Sequence, residues 1–192
     1  MALLDVAIRN SGLATGEKAW PWLRDLQLGI QLPEQIVVTN LFAKVLKLRR
    51  RPAALGSAYA GPFQKTIGYR EYAYHPMPIN LAVGVPKKHQ AQLGEWLIQI
   101  NYLGKRGGFV QLLEVPSLIE NQDNYISLTS EVTQFSLNGL IQQLDDCSPK
   151  MKFAEADIYN KKRPKRLTRP IIIPYRIARS SRSYTLYERI EA

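Results

Sequence analysis

The apolar positions of this chain recur with two periods, and together they predict a mixed α and β fold. Residues Ala2 to Ile8 open the pattern as a short strand, and a polar, tryptophan-containing loop (Asn10 to Leu26, with Gly12, Gly16, Trp20 and Trp22) follows. Beyond Pro33, a residue welcome in a first helical turn, the apolar residues Val37, Val38, Leu41, Phe42, Val45 and Leu46 recur with helical spacing. This predicts a helix from Pro33 through Leu48, with Arg49, Arg50 and Arg51 at its favourable C-terminal end. Pro52 stops it.

Gly61-Pro62 starts an extended stretch, Phe63 to His75, rich in threonine, isoleucine and tyrosine. Ile79, Leu81, Val83 and Val85 alternate strictly, the mark of a half-buried strand. Pro86 begins a second helix, whose Leu93, Trp96, Leu97 and Ile100 share one face and which Gly104 ends. Phe109, Leu112, Leu113 and Val115 predict a fourth strand. The order to Val115 is then β-α-β-β-α-β. This is the ferredoxin-like, split-βαβ arrangement of RNA-recognition-motif (RRM) modules, an α+β fold.

Two further strand-like pieces, Tyr125 to Thr129 and Val132 to Leu137, lie in a segment with no Lys or Arg between Arg106 and Lys150. Glu114, Glu120, Asp123, Glu131, Asp145 and Asp146 make that middle acidic, so it would meet protein or solvent rather than phosphate. Arg169 to Ile190 predicts two strands joined around Ser180–Ser183, a C-terminal β-hairpin. Residues 1–115 are thus an RRM-like core, and residues 116–192 an extension within the same compact unit.

Charge changes the picture more than composition does. Of a net charge of +10, residues 150–192 carry +8, from 12 Lys/Arg against 4 Asp/Glu, while residues 1–149 carry 14 against 12. Such a concentration suits a polyanion, because each cation that meets a phosphate releases a condensed counterion. About six contacts at a single-strand slope near −0.7 predict a loss of roughly two to three decades in affinity between ~50 and ~200 mM salt. No stretch approaches the ~20 apolar residues of a membrane span, and Met1 to Ile8 lacks the features of a secretory signal. With one cysteine, Cys147, and two histidines, His75 and His89, neither a disulfide framework nor a zinc site is expected. The chain is expected to be cytoplasmic and to need no cofactor.

Four stretches could hold RNA. Lys161, Lys162, Arg163, Lys165, Arg166 and Arg169 form a dense run that is either a solvated loop or a clamp on a nucleic-acid backbone. Gly104-Lys105-Arg106-Gly107-Gly108-Phe109-Val110 is a basic glycine-rich turn that partly matches the RNP1 pattern; it could approach sugar-phosphate closely or be a simple turn with exposed charges. Gln64 to Tyr74 interleaves aromatics with cations, a pattern that suits single-stranded nucleic acid unless some of the tyrosines simply pack under the sheet. Alternation there places Arg70, Tyr72 and Tyr74 on one face and Lys65, Ile67 and Tyr69 on the other. Tyr175 to Tyr184 sets Arg176, Arg179 and Arg182 among serine hydroxyls, a combination able to bind phosphate by hydrogen bond as well as by charge.

Catalytic patterns are sparse. His75 and His89 neighbour prolines and lysines with no acid nearby that suggests a triad. The chain lacks a Walker motif, an H-E-x-x-H motif and clustered carboxylates. No catalysis is expected.

Three segments resemble the CRISPR-associated Cas five family, a subunit of type I Cascade complexes. They are the proline-initiated stretch Pro33 to Leu48, the segment Gly61 to Tyr72, and the ending Ile173 to Tyr187. The resemblance implies a thumb-like extension (about residues 61–78) on an RRM-type core that grips the 5′ handle of CRISPR RNA and caps the backbone filament. It implies as partners Cas seven-type backbone subunits, a large Cas eight-type subunit, and target DNA near the protospacer-adjacent motif. Lys65, Tyr69, Arg70 and Tyr72 would belong to the thumb, and Arg176, Arg179 and Arg182 would lie near the handle. The family's aromatic–arginine pair after the first strand is replaced here by Asn10-Ser11-Gly12-Leu13, so that contact is not carried over. Two rival functions are a repeat-processing endoribonuclease on the same fold, using His75 or His89, and a basic ribosome- or DNA-associated module.

Overall fold

The computed structural model describes residues 1–51, 53–104, 108–121, 124–129, 138–156 and 166–190. It begins with two helices, α1 (Ala2–Ser11) and α2 (Leu13–Arg24). Strands β1 (Gln27–Gln31), β2 (Gln35–Leu48), β3 (Phe63–Tyr74) and β4 (Asn80–Gly84) come next. A 3-10 turn (Lys87–His89) leads into α3 (Gln90–Leu97). The remainder is β5 (Ile126–Ser127), β6 (Leu140–Cys147), the short α4 (Phe153–Ala156), β7 (Arg166–Ile173), β8 (Tyr175–Ser180) and β9 (Tyr184–Arg189). The fold is therefore α+β, but its leading elements are not those of a β-α-β-β-α-β order.

Four expectations need correction. The segment expected to be a first strand is helix α1. Leu4, Ala7 and Ile8 also satisfy a helical repeat, and Arg9 Nε lies 2.9 Å from Asp5 Oδ2, an i,i+4 ion pair that helical geometry brings together and an extended strand does not. The expected loop Asn10 to Leu26 is mostly α2. Its Gly16, Ala19, Trp20 and Leu23 fall at i, i+3, i+4 and i+7, and the first three are buried. Gly12, at φ 83°, breaks the chain between the two helices. Gly16 lets them approach closely, since a Cβ there would lie 2.6 Å from Ile8 Cγ1.

The expected helix from Pro33 through Leu48 is strand β2. Its β-branched Ile36, Val37, Val38 and Thr39 fit a pleated sheet, and β3 supplies a complementary strand over 12 consecutive pairs, from Val37↔Tyr74 to Leu48↔Phe63. Cross-strand pairing thus overrides an apolar spacing that fits either element. Finally, Phe109 to Val115 is no strand: its pairing is a single bridge, Tyr102↔Phe109, and Phe109 is 83% exposed. The extended stretch at Phe63, the strand near Leu81, the helix after Pro86 and the terminal hairpin stand as expected, and Tyr125 to Thr129 contributes β5. The expected strand Val132 to Leu137 lies outside the described residues.

The chain divides into two units. Among the described residues, unit 1 (Met1–Leu32, Ile79–Ser136 and Ile141–Ile173) holds the three helices longer than one turn, the sheet β4-β1-β5 and the pair β6-β7. Its core has two clusters: Leu4, Trp20, Met151 and Ala156, and Val6, Ala7, Ala19 and Trp96. The indole of Trp20 donates to the Met151 carbonyl at 2.9 Å. Unit 2 (Pro33–Pro78, Leu137–Leu140 and Pro174–Ala192) is built on an antiparallel sheet of order β3-β2-β9-β8. Strand β9 pairs with β2 only from Gln35 to Thr39. Beyond that point β2 and β3 continue as a two-stranded ribbon, an extension that spans the region expected to form a thumb.

Candidate nucleic-acid interface

The register of unit 2 decides which candidate side chains share a surface. Directly opposed residues in an antiparallel sheet lie on the same face, and neighbours along a strand alternate. Thr39 opposes both Tyr72 on β3 and Tyr184 on β9, and Val37 opposes Tyr74 and Leu186. Leu186 in turn opposes Arg179, and Glu188 opposes Arg176. Arg70 shares this face through its partner Leu41. One side of the sheet therefore carries Arg70, Tyr72 and Tyr74 on β3, Tyr184 on β9, and Arg176 and Arg179 on β8. Tyr72 and Tyr74 are 57% and 67% exposed, and both β8 arginines are exposed.

Lys65 and Tyr69 occupy the opposite face, as the alternation of the sequence predicts. Lys65 opposes Leu46, and Tyr69 opposes Phe42 with their rings edge to face at a centroid distance of 4.8 Å. The four expected thumb residues are thus divided two and two. A single flat ligand on the sheet can reach Arg70 and Tyr72 but not Lys65 and Tyr69.

Arg182 sits in the β8–β9 turn rather than on the face. Two of the serine hydroxyls there, those of Ser180 and Ser181, are already engaged within the hairpin. Ser181 Oγ accepts from the amides of Ser183 and Tyr184 and donates to the Tyr184 carbonyl, at 3.2–3.3 Å. Ser180 Oγ pairs with Thr185 Oγ1 at 3.3 Å. These bonds fix the turn, and the Ser183 carbonyl accepts from the Asn40 amide at 2.9 Å, tying the hairpin to β2. The arginine side chains are the exposed cationic groups of this segment.

At the start of β8, Tyr175 is buried and its hydroxyl donates to the Pro33 carbonyl. Burial is the main cause that pushes this phenol up to about 12. Tyr175 is a structural anchor, so the face uses Tyr184 and the β3 tyrosines as its aromatic surface.

Arg166 is not on this face. It lies on β7 in unit 1, with Nη1 3.2 Å from Asp145 Oδ2, while Arg169 Nε lies 2.6 Å from Asp146 Oδ2. Two acids of the expected partner-facing segment are thus neutralised by arginines of the same chain. Lys105, Arg106, Lys161, Lys162, Arg163 and Lys165 lie outside the described residues. The histidines hold structural contacts. His75 Nδ1 is 2.6 Å from the Met77 carbonyl, and the His89 ring stacks on Trp22 at 4.6 Å, with Trp22 stacked on Trp96 at 5.5 Å.

The helical expectation for Pro33 to Leu48 concealed one feature. Arg49, Arg50 and Arg51 leave the end of β2 at the tip of the ribbon, at the start of a connection to β3 that also carries an exposed Tyr59. Arg49 is partly committed, donating from Nε to the Phe63 carbonyl at 3.0 Å, and Arg50 and Arg51 are exposed. Three consecutive arginines ahead of a loop were the available signal. Among the described residues there is no group of three His, Cys, Asp or Glu placed to hold a metal ion, and no helix long and apolar enough to cross a membrane.

Comparison with known proteins gives a partial match. The chain is similar to a CRISPR-associated protein Cas5 from Archaeoglobus fulgidus, at 36% identity over 85 residues. The matched stretch covers 44% of this chain and 35% of that protein, so the chain spans about a third of the length of the relative. No family model matches the chain, and no solved structure does.

Proposed function

We propose that this chain is a non-catalytic RNA-binding subunit of a type I CRISPR Cascade complex, holding the 5′ handle of CRISPR RNA and capping the backbone of the assembly. The observation that carries the proposal is the shared face of the unit 2 sheet. Arg70, Tyr72, Arg176 and Arg179, from sequence positions about a hundred residues apart, lie on one side of four continuous strands. Exposed rings there offer stacking platforms to unpaired bases, and the arginines at both edges offer charge and planar hydrogen bonding to phosphate. Phosphate contacts would position the RNA while the tyrosines hold splayed bases.

The similarity to a CRISPR-associated protein supplies the biological setting. In it, Cas seven-type backbone subunits, a large Cas eight-type subunit and target DNA near the protospacer-adjacent motif are the partners. The β2–β3 ribbon, with apolar residues exposed on both faces, suits burial in such an assembly. The structural contacts of His75 and His89 favour binding over repeat cleavage.

Sequencing the RNA that co-purifies with the tagged protein, co-expressed with its native gene neighbourhood, tests this function. Species sharing one repeat-derived 5′ end are expected. Ribosomal or random RNA would contradict the proposal.

A further inference from the structure

Among the described residues strand β3 is the outer strand of the four-stranded sheet, and its 12 residues pair with β2 without a break in register. The phase of that ladder can be read from its end. The Arg49 amide donates to the Pro62 carbonyl at 2.8 Å, and this pair continues the β2–β3 register by one step. Bonded and non-bonded pairs alternate in an antiparallel ladder, so the even-numbered residues of β3 exchange hydrogen bonds with β2. The other side of β2 agrees, since the Asn40 amide turns away from β3 to the Ser183 carbonyl. Lys65, Ile67, Tyr69 and Glu71 therefore direct their N–H and C=O groups outward from the sheet, where the Tyr69 carbonyl accepts from Arg70 Nη1 at 2.8 Å and keeps its second lone pair. All four residues are exposed, Ile67 by 68%.

Natural sheets blunt such edges with prolines, bulges or short strands. The opposite edge has such a device: the β8–β9 register shifts between Ile177 and Arg179. Strand β3 has neither a proline nor a register shift. Its outward positions carry instead one cation and one anion, Lys65 and Glu71, each three residues from Gly68.

We propose that two copies of this chain pair edge to edge through β3, antiparallel about a two-fold axis at Gly68. In this register Lys65 of each copy opposes Glu71 of the other, and Ile67 opposes Tyr69. Four outward pairs, each exchanging two backbone bonds, give about eight inter-chain hydrogen bonds, two of them to Tyr69 carbonyls shared with, or released by, the Arg70 side chain. Opposite charges and apolar–aromatic neighbours face one another throughout, which stabilises a strand pair. On the other face Arg70 opposes Thr66, so no like charges meet. Moving the axis to Ile67 sets Glu71 against Phe63, and moving it to Tyr69 sets Lys65 against Ala73. Only the Gly68 axis satisfies both charges. The interface uses the strand edge and leaves both sheet faces free, so it does not depend on the proposed RNA binding.

The register makes a site-specific cross-link the direct test, performed on RNA-free full-length protein. At the axis the two Gly68 residues form a non-hydrogen-bonded pair, with Cα atoms about 4.5 Å apart, within disulfide reach. A side chain fits there, because a Cβ would meet the Ala43 carbonyl and Val45 at an ordinary 3.7 Å. In a Cys147→Ser background, Gly68→Cys is expected to give a disulfide-linked dimer on mild oxidation. Thr66→Cys should not, since the two residues at position 66 would lie about 13 Å apart. Sedimentation should show a species of two 21.9 kDa chains, converted to monomer by Ile67→Pro. That variant removes an outward N–H and spares the ladder to β2. Glu71→Lys should also give monomer, and Lys65→Glu with Glu71→Lys should restore the dimer. A monomer at every concentration, or equal cross-linking through positions 66 and 68, would overturn the proposal.

Discussion

Arg176 holds its own counter-ion: its Nη2 lies 3.6 Å from Oε2 of Glu188, the residue directly opposite on β9. Gln35 Nε2 donates to the other carboxylate oxygen at 3.2 Å. A phosphate approaching Arg176 must compete with this carboxylate. Glu188→Gln keeps an oxygen acceptor for Gln35 and removes the competing charge. Because an exposed pair of this kind is worth about 0–1 kcal/mol, single-stranded RNA should bind up to about fivefold more tightly, with stability nearly unchanged. Fluorescence anisotropy at low salt measures the first quantity and thermal melting the second.

Arg176 and Arg179 lie three positions apart on an edge strand, and the register shift between Ile177 and Arg179 keeps both exposed on the same face. Replacing both by Ala should reduce the slope of log affinity against log salt by about 1.4, taking ~0.7 for each phosphate contact to a single strand. The titration compares this double variant with the unmodified chain. An unaltered slope would remove both residues from the RNA contact.

Tyr175 gives the fold an alkaline limit. Its buried phenol titrates at about 12 against an ordinary value of 10.0. The folded state therefore holds the proton more tightly than the unfolded state does. The stabilisation is complete below pH 10 and is lost as pH rises through about 12. Tyr175→Phe should flatten that decline and cost about 0.5–1.5 kcal/mol at neutral pH, through loss of the bond to the Pro33 carbonyl. Denaturant melts at pH 7, 10 and 11.5 resolve the two effects.

The α1–α2 packing depends on the missing side chain of Gly16. A Cβ there would stand 2.6 Å from Ile8 Cγ1 and 3.6 Å from Leu4 Cδ1. Gly16→Val should destabilise the protein by about 1–3 kcal/mol through overpacking, although valine is a better helix former than glycine. Chemical denaturation provides the measurement.

Local signals served the sequence well where one chemistry dominated. Strict alternation marked β4, Pro86 followed by Leu93 and Trp96 marked α3, and the serine-rich turn marked the β8–β9 hairpin. The same alternation separated Arg70 and Tyr72 from Lys65 and Tyr69 before any register was known. Pro33 to Leu48 was illegible because Val37, Val38, Leu41, Phe42, Val45 and Leu46 fit a helical stripe, while the deciding partner, β3, begins 15 residues beyond Leu48. Ala2 to Ile8 failed in the opposite direction, its helical signal divided between the short repeat Leu4, Ala7 and Ile8 and the Asp5–Arg9 pair. The shared face was hidden for a similar reason. It depends on β9 lying between β2 and β8, a long-range pairing that no local pattern encodes.

The proposed RNA contact lies on the Arg70–Tyr72 face of the unit 2 sheet. Its most direct test measures the affinity of handle-length single-stranded RNA for two double variants, Arg70→Ala with Tyr72→Ala and Lys65→Ala with Tyr69→Ala. Loss of one stacked ring costs about 1–3 kcal/mol. The first variant should therefore bind at least tenfold more weakly, while the second, altered only on the far face, should stay within about threefold of the unmodified protein. Equal losses in the two variants, or a larger loss in the second, would contradict the assignment of the face.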